Sequence, residues 1–285
     1  MESGAGAAYF DSMKRQPALY IPHGGGPCFF LNPDGSCPPM WIAMRDYLAG
    51  LIPSLPERPR AILLISAHWI EPRFTVHTGE KPELLFDYYG FPAHTYDLRW
   101  DAPGAPGLAR HAAGLLSAAG LETGEESARG WDHGVFVPMK VALPDADIPV
   151  AQLSLQAPRG GIDFDAALHI AAGKALAPLR DEGVLIVGSG MSFHNMRVRD
   201  GSLQQIADEF DAALTDAATD PNPEQRNARL AHWTGLPHAR IAHPPRGEEH
   251  LIPLMMVAGA GGDDRGVHDF QGHVIGWTVS AFRYG

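Results

Sequence analysis

Three histidines follow apolar stretches that end in small residues, and this repeated pattern indicates a shared pocket. His23 ends ALYIPH, His68 lies in AILLISAHW, and His194 lies in GVLIVGSGMSFHN. The apolar runs are predicted strands, and open α/β sheets bind ligands at the carboxyl ends of their strands. Clustered imidazoles bind Zn, Cu, Fe or Ni. The pattern therefore predicts a metal site, although a single histidine at a strand end is more often a hydrogen-bonded structural residue.

Two further histidines precede hydrophobic segments and are the next candidates to face the pocket, His133 in WDHGVFVPMK and His250 in EEHLIPLMM. His94 is a weaker candidate, because it lies in a long aromatic-rich segment between residues 79 and 104. The sequence contains neither HExxH nor GxSxG, so it supports neither a thermolysin-like zinc site nor a serine-hydrolase elbow.

The elements that must position these residues alternate between strands and helices. Predicted strands cover residues 18–22, 61–67, 74–78, 149–155, 183–190 and 273–282. Predicted helices cover residues 38–52, 107–120, 164–180, 202–218 and 223–235, with a weaker one over 248–260. Such alternation predicts a single α/β domain over residues 1–285, with a mostly parallel sheet and helices on both faces. The metal site is expected at the carboxyl ends of the strands, and residues 1–16 are expected to be flexible.

Composition limits the classes of function that the chain can serve. The 285 residues are 45% hydrophobic and 19% charged, which is typical of a globular protein, and the net charge is −11. An acidic chain without a basic run is not expected to bind nucleic acid. No apolar run reaches the roughly 18 residues of a membrane span, and the first residues lack the apolar core of a signal peptide. Two cysteines cannot build a disulfide framework, so a cytoplasmic enzyme is expected, with homo-oligomerisation left open.

Several motifs, in their order along the chain, resemble those of class III extradiol ring-opening dioxygenases. They are PHGGGP, ISAHW, FDYYGFP, DHGVFVPM followed by PVAQLSLQ, and GSGMSFHN. The resemblance is strongest to the DOPA 4,5-dioxygenase-like branch, which is related to the catalytic subunit of protocatechuate 4,5-dioxygenase, and it spans roughly residues 17–284. It implies an α/β/α sandwich with a non-haem Fe(II) site, or zinc as in some bacterial members. It also implies that a small catechol and O2 are the substrates.

The resemblance also assigns roles to individual histidines. His23 and His68 match the first two metal ligands, and His250 matches the last ligand position of the DOPA-dioxygenase-like branch. His194 matches the histidine regarded as the catalytic acid/base, which some members count as a fourth ligand. His133 matches a histidine near the substrate and O2. Because the protocatechuate branch uses a glutamate as third ligand, Glu249 is the alternative to His250.

The aromatic segment is expected to cover the pocket, since its rings can stack on a substrate ring and exclude water. Its expected substrate-facing residues are Tyr88, Tyr89, Phe91 and His94. Which arginine would bind a substrate carboxylate stays open among Arg73, Arg99, Arg197 and Arg246. A zinc-dependent hydrolase and a non-catalytic metal-binding homologue are the alternative functions. The dioxygenase is favoured over both, because a passive metal site has no need of acid/base histidines.

Overall fold

Eight strands form one sheet in the part of the chain that the computed structural model describes, residues 14–160, 163–198 and 201–285. In chain order the strands are β1 (Ala18–Pro22), β2 (Ala61–Glu71), β3 (Phe74–His77), β4 (Thr123–Glu126), β5 (Val150–Gln156), β6 (Val184–Gly190), β7 (Gly266–Val274) and β8 (Trp277–Tyr284). Their order across the sheet is β4-β3-β5-β2-β6-β1-β8-β7. The central strands β5, β2, β6 and β1 are parallel, so their carboxyl ends meet at one edge.

Helices cover the sheet and explain why its central strands are buried throughout. They are α1 (Ile42–Ala49), α2 (Pro106–Ala118), α3 (His133–Ala142), α4 (Ala166–Leu176), α5 (Gln204–Ala218), α6 (Pro223–Ala231), α7 (Ala239–Ala242) and α8 (Ile252–Gly261). Helix α3 contacts β2 and β6 and packs on α1, whereas α8 contacts β1, β2 and β6 and packs on α4. Every residue of β1, β5 and β6 is buried, as expected of parallel strands covered on both faces. The predicted α/β/α sandwich with a mostly parallel sheet is confirmed.

Helix α8 is apolar on all sides because it lies between the sheet and α4. All of its residues are buried. The two helices approach closely at glycines: a Cβ on Gly173 would lie 1.9 Å from the Met256 carbonyl oxygen, and one on Gly259 would lie 2.2 Å from that of Ile170. This packing fixes the position of the segment that enters α8, which carries His250.

The C-terminal strand prediction is wrong as a single element. Residues 273–282 belong to two antiparallel strands, β7 and β8, joined by a two-residue turn at Ile275 and Gly276. Both turn residues have positive φ, 54° and 75°, as a tight hairpin turn requires. Isoleucine is an unusual residue at such a position. The apolar sequence therefore gave no sign of a turn, and one continuous strand was predicted. Strand β4 and helix α3 were also missed; the TGEE sequence of β4 has little strand propensity.

The expected flexible segment, residues 1–16, lies mostly outside the described residues, which begin at residue 14. Its last residue, Gln16, is buried, and its N–H donates to the Arg180 carbonyl at 3.0 Å. None of the helices in the described ranges combines the length and apolar character that crossing a bilayer requires.

Candidate metal centre

Strand β1 delivers His23 to the carboxyl edge of the sheet. The His23 N–H donates to the Gly190 carbonyl at 3.1 Å, which continues the pairing of β1 with β6 by one residue. Gly24 then turns the chain with a φ of +80°, which favours glycine. A Cβ at Gly24 would lie 2.2 Å from the Cys28 Sγ, so space also excludes a larger residue. The glycines after His23 therefore present the imidazole and turn the backbone away from it.

His68 lies within β2 rather than after its end, because the strand continues past residue 67 to Glu71. The register of β2 against β5 shifts between Ile65 and Ile70, so His68 sits in a bulge. Side chains replace the missing ladder bonds: the His68 N–H donates to Ser66 Oγ at 3.1 Å, and Arg129 Nη2 donates to the His68 carbonyl at 3.0 Å. The bulge aims the imidazole toward the edge of the sheet.

A buried carboxylate, Asp132, holds this bulge in place. It accepts hydrogen bonds from Ser66 Oγ at 2.6 Å, from Gln152 Nε2 at 2.6 Å and from Arg129 Nη2 at 3.2 Å. A buried charge is costly unless it is paired and hydrogen-bonded, and these donors satisfy it. Because Asp132 directly precedes His133, the first residue of α3, one carboxylate fixes the local backbone of two candidate residues.

His250 is anchored to the same edge through its backbone. Its carbonyl accepts the Met191 N–H at 3.1 Å and the Tyr20 hydroxyl at 2.8 Å. Burial raises the pKa of Tyr20 well above its ordinary value, so the hydroxyl remains a donor. A Cβ at Gly190, the last residue of β6, would lie only 2.0 Å from the His250 carbonyl oxygen. Glycine at this strand end therefore allows the close approach of the segment that carries His250.

The structure brings His23, His68 and His250 together. One ring nitrogen from each lies within 4.8 Å of the other two, and the His23 and His68 Nε2 atoms are 3.2 Å apart. The ring centroids form a near-equilateral triangle with sides of 4.9, 5.2 and 4.9 Å. His23 and His250 are buried and His68 is partly buried.

Hydrogen bonds at the opposite ring nitrogens orient two of these imidazoles. His23 Nδ1 lies 3.0 Å from Ser189 Oγ, and that hydroxyl donates to the Gly134 carbonyl, so the imidazole must be the donor. His250 Nδ1 lies 2.9 Å from Glu249 Oε1. Both bonds assign the proton to Nδ1 and leave Nε2 with its lone pair, an arrangement that metal-bound histidines usually show. Glu249, the alternative ligand, is thus placed to orient His250.

The electrostatics of the cluster suit a metal cation. Burial lowers the pKa of His68 to about 4, and burial together with the neighbouring imidazoles lowers the pKa values of His23 and His250 well below their ordinary range. Neutral imidazoles are the form that binds metal. Three convergent neutral nitrogens, two of them backed by acceptors, fit a zinc or iron ion.

Asp87 is a site residue that the sequence interpretation missed. Both the backbone N–H and Nδ1 of His133 donate to its Oδ1, at 2.9 and 2.8 Å. Burial raises the pKa of the Asp87 carboxyl, but the bonds and charge of His133 outweigh burial, so the pKa lies below its ordinary value. The His133 ring lies 3.9 Å from that of His68, between centroids. Asp87 stands in the quoted FDYYGFP motif, which was its available signal.

His194 lies beside His250 rather than within the group of three. Their rings stack with centroids 3.5 Å apart and planes 19° apart. The backbone N–H of His194 donates to the Ala242 carbonyl at 3.1 Å. A ring nitrogen of His194 lies within 4.8 Å of ligand atoms on both Glu249 and His250. The four residues after β6 therefore bring a further imidazole to the rim of the cluster.

A cavity of about 560 Å³ opens above the cluster. Its lining includes His68, His133, His194 and His250, and three of the expected aromatic residues, Tyr88, Tyr89 and Phe91. The expectation for His94 needs correction, because its Nε2 lies 3.0 Å from the Phe30 carbonyl and the residue is not in the lining. A further part of the wall comes from Ile275 and Trp277 of the β7–β8 hairpin, and the Trp277 ring centroid lies 6.2 Å from that of His194.

The chain matches a known protein family over most of its length. Residues 17–280 match the family described as the catalytic LigB subunit of aromatic ring-opening dioxygenase. A crystal structure of an uncharacterized protein from Escherichia coli K12 superimposes with a TM-score of 0.73 at 28% identity, covering 95% of this chain and 100% of that one.

Curated relatives are similar over most of the chain. The protein named dioxygenase tasH from Hapsidospora irregularis is 38% identical over 94% of this chain and 85% of its own length. The 4,5-DOPA dioxygenase extradiol of Beta vulgaris is 38% identical over 73% of this chain and 75% of its own length. The protein of that name from Escherichia coli K12 is 34% identical over 87% and 86%.

Proposed function

This chain belongs to the LigB family of aromatic ring-opening dioxygenases, within the DOPA 4,5-dioxygenase-like branch, and we propose that it cleaves a catechol with O2 beside the diol. The observation that carries the proposal is the convergence of His23, His68 and His250 at the base of an aromatic-lined cavity. In this proposal the three histidines hold one Fe(II) ion, and zinc is the alternative occupant of the same ligands.

The ion would bind catechol and O2 side by side and would transfer electrons from one to the other. The residues of the chain contribute the remainder. Ser189 and Glu249 keep the Nε2 atoms of His23 and His250 aimed at the shared position. Tyr88 and Phe91 can stack on the bound ring and keep water away from it.

His194 is the proposed acceptor of the catechol proton. Its ring lies in the cavity wall against His250, so a hydroxyl that approaches the three-histidine cluster comes within its reach. Histidine suits this step because it titrates near neutral pH.

His133 is proposed to orient the substrate. Its Nδ1 is committed to Asp87, so Nε2 is the ring nitrogen left for a substrate, and it accepts a hydrogen bond when the ring is neutral. A catechol hydroxyl can donate to that nitrogen and so fix the angle of the ring above the cluster. Asp87 thereby acts on the substrate through His133.

The overall reaction balances without an external reductant. One ring carbon–carbon bond breaks, both atoms of O2 enter the product, and a hydroxymuconic semialdehyde-type compound results. The four electrons that O2 accepts all come from the ring. The chain therefore needs no binding site for a nucleotide or other electron donor.

Oxygen uptake tests the proposal. Protein loaded with Fe(II) under nitrogen is mixed with aerated buffer that contains one of a panel of catechols. The expected result is O2 consumption in a 1:1 ratio to catechol, with the visible absorbance of a ring-opened semialdehyde. Zn(II)-loaded protein is the matched control and should consume no O2. Folded, iron-loaded protein that takes up no O2 with any catechol would contradict the proposal.

A further inference from the structure

The cavity lining carries no positively charged side chain among the described residues. Of the described residues in that lining, Asp87 is the one charged group besides the histidines. The four arginines considered as partners for a substrate carboxylate all lie elsewhere: they are Arg73, Arg99, Arg197 and Arg246. A substrate with an anionic substituent would therefore meet no partner in the part of the cavity wall that the structure describes.

One basic residue beside the cluster, Arg129, is already committed. Arg129 Nη2 donates to the His68 carbonyl at 3.0 Å and to Asp132 at 3.2 Å, and its guanidinium stacks 5.3 Å from the Trp69 ring. Arg73 borders a separate, acidic cavity beside β3 and β4. Arg129 cannot turn toward the catechol site without breaking its contacts, and Arg73 lies beside β3 and β4, the two strands at one end of the sheet.

The rest of the wall is apolar and leaves room beyond one ring. A volume of about 560 Å³ falls within the roughly 300–1,000 Å³ of pockets that bind drug-sized ligands. The apolar side chains around it come from five separate parts of the chain, and they are Leu31, Trp41, Phe91, Met191, Ile275 and Trp277. A substituent on the catechol would lie against these groups, because a 4-substituent is directed away from the two hydroxyl oxygens.

We propose that the substrate is a catechol whose substituent is uncharged and apolar. This inference rests on the proposed function and names the substrate class of the same site. A carboxylate on the substituent would be desolvated without a cationic partner and would also face the negative charge of Asp87. An ammonium would exchange water for an apolar wall, and the nearest carboxylate is already hydrogen-bonded to His133. An alkyl or aryl substituent loses nothing on burial and gains contact area.

Three catechols of similar size test the inference: 4-ethylcatechol (neutral), 3,4-dihydroxyphenylacetate (anionic) and dopamine (cationic). The kcat/KM of the Fe(II)-loaded protein should be at least about tenfold higher for 4-ethylcatechol than for either charged analogue, which corresponds to about 1.4 kcal/mol. Equal or higher kcat/KM for a charged analogue would overturn the inference while leaving the dioxygenase function intact.

Binding under nitrogen separates the inference from the proposed function. Trp41 and Trp277 line the cavity, so quenching of tryptophan fluorescence reports occupancy by each catechol without turnover. The neutral compound should bind with the lowest Kd. If no catechol is turned over but this order holds, the dioxygenase function fails and the inferred pocket preference survives. If a charged analogue binds as tightly as 4-ethylcatechol, the preference fails whatever the turnover.

A charge introduced at the rim provides a second, independent test. Met196 lines the cavity and is 49% exposed, so a longer side chain there can be solvated without disturbing the core. Met196→Arg should raise the ratio of kcat/KM for 3,4-dihydroxyphenylacetate over 4-ethylcatechol by about tenfold relative to the parent. Met196→Gln, the matched uncharged control, should keep the parent ratio. An unchanged ratio in a folded, iron-loaded Met196→Arg variant would show that charge does not determine the preference.

Discussion

The histidines at the sheet edge and His169, in helix α4, are both shielded from water, yet their ring nitrogens are used differently. His169 is fully buried, and both of its ring nitrogens meet the backbone: Nδ1 lies 2.7 Å from the Asp165 carbonyl, and Nε2 accepts the Gln156 N–H at 3.2 Å. In His23 and His250 one nitrogen meets a side chain, and the other faces further imidazoles.

The comparison separates a structural histidine from a functional one on physical grounds. Burial lowers the pKa of His169 to about 4, much as it does for His68, so a lowered pKa alone does not identify a functional histidine. The discriminating feature is where the second nitrogen points. A ring whose two nitrogens both serve the backbone stabilises the fold, whereas a ring with one nitrogen in a shared space can bind a ligand.

The largest expected effect comes from removing a proposed ligand. His68→Ala should lose most bound iron and reduce ring cleavage by more than about 10³-fold, because the ion is left short of donors. Metal analysis and O2 uptake measure the two effects. His111→Ala is the matched control, since His111 is exposed and lies 3.0 Å from a Glu182 oxygen away from the site. Full iron content in His68→Ala would remove His68 from the ligand set.

His194 sharpens the comparison within the site, because it separates a base from a ligand. His194→Ala should retain near-normal iron content and lose about 10²–10⁴-fold in kcat, the usual contribution of a general base. Iron content and kcat are measured on the same preparation. If the variant purifies without metal under conditions that load the parent, His194 is a ligand and another group accepts the proton.

Variants of Glu249 test the role of the hydrogen bonds that orient the proposed ligands. Glu249→Ala should weaken iron binding by about 10–100-fold, because His250 loses the acceptor that orients its ring. Glu249→Gln keeps an acceptor oxygen and should lose less. Competition with a chelator of known affinity measures both variants. A complete loss of metal from Glu249→Gln would instead indicate that the carboxylate itself is a ligand.

The smallest expected effect on activity concerns His169, where the change appears in stability instead. With a folded pKa of about 4 and an ordinary value near 6.5, the unfolded chain binds more protons between these pH values. The stability linked to neutral His169 is therefore fully present above about pH 6.5 and is lost as pH falls toward 4.

In the parent protein, the free energy of unfolding falls as pH is lowered through this range. In His169→Gln this fall should be less steep, by up to about 1.4 kcal/mol per pH unit. The variant should be less stable at pH 7 and still bind iron normally. Denaturant titrations at matched pH values measure the free energy of unfolding of parent and variant. The site histidines contribute equally to both proteins, so their contribution cancels in the difference. An identical pH slope would show that His169 is protonated equally in both states.

Much of the site could be predicted from local sequence, because the end of a predicted strand also locates the residue that follows it. His23 follows β1 directly, and His250 lies in the segment that enters α8, two residues before the helix begins. His68 was identified even though its strand was predicted to end too early. An apolar run and a polar residue after it were enough for His23 and His68, whereas the ligand role of His250 was implied by the family resemblance.

Features that depend on pairing across the chain could not be predicted in this way. Asp87 bonds to His133 over a separation of 46 residues, and no periodic pattern links the two. The bulge around His68 depends on Asp132, whose partners come from three different segments. Ile275 adopts positive φ because the hairpin demands it, against the preference of its own side chain.

The β7–β8 hairpin can change the substrate specificity of the protein without changing the proposed metal ligands. It contributes Ile275 and Trp277 to the cavity, while its outer strand is the last strand of the sheet and carries none of the proposed ligands. Connecting segments tolerate sequence change better than the elements they join. Exchanging this tip between relatives should therefore retune which rings are accepted while the oxygen chemistry is inherited unchanged, both in natural divergence and in directed evolution.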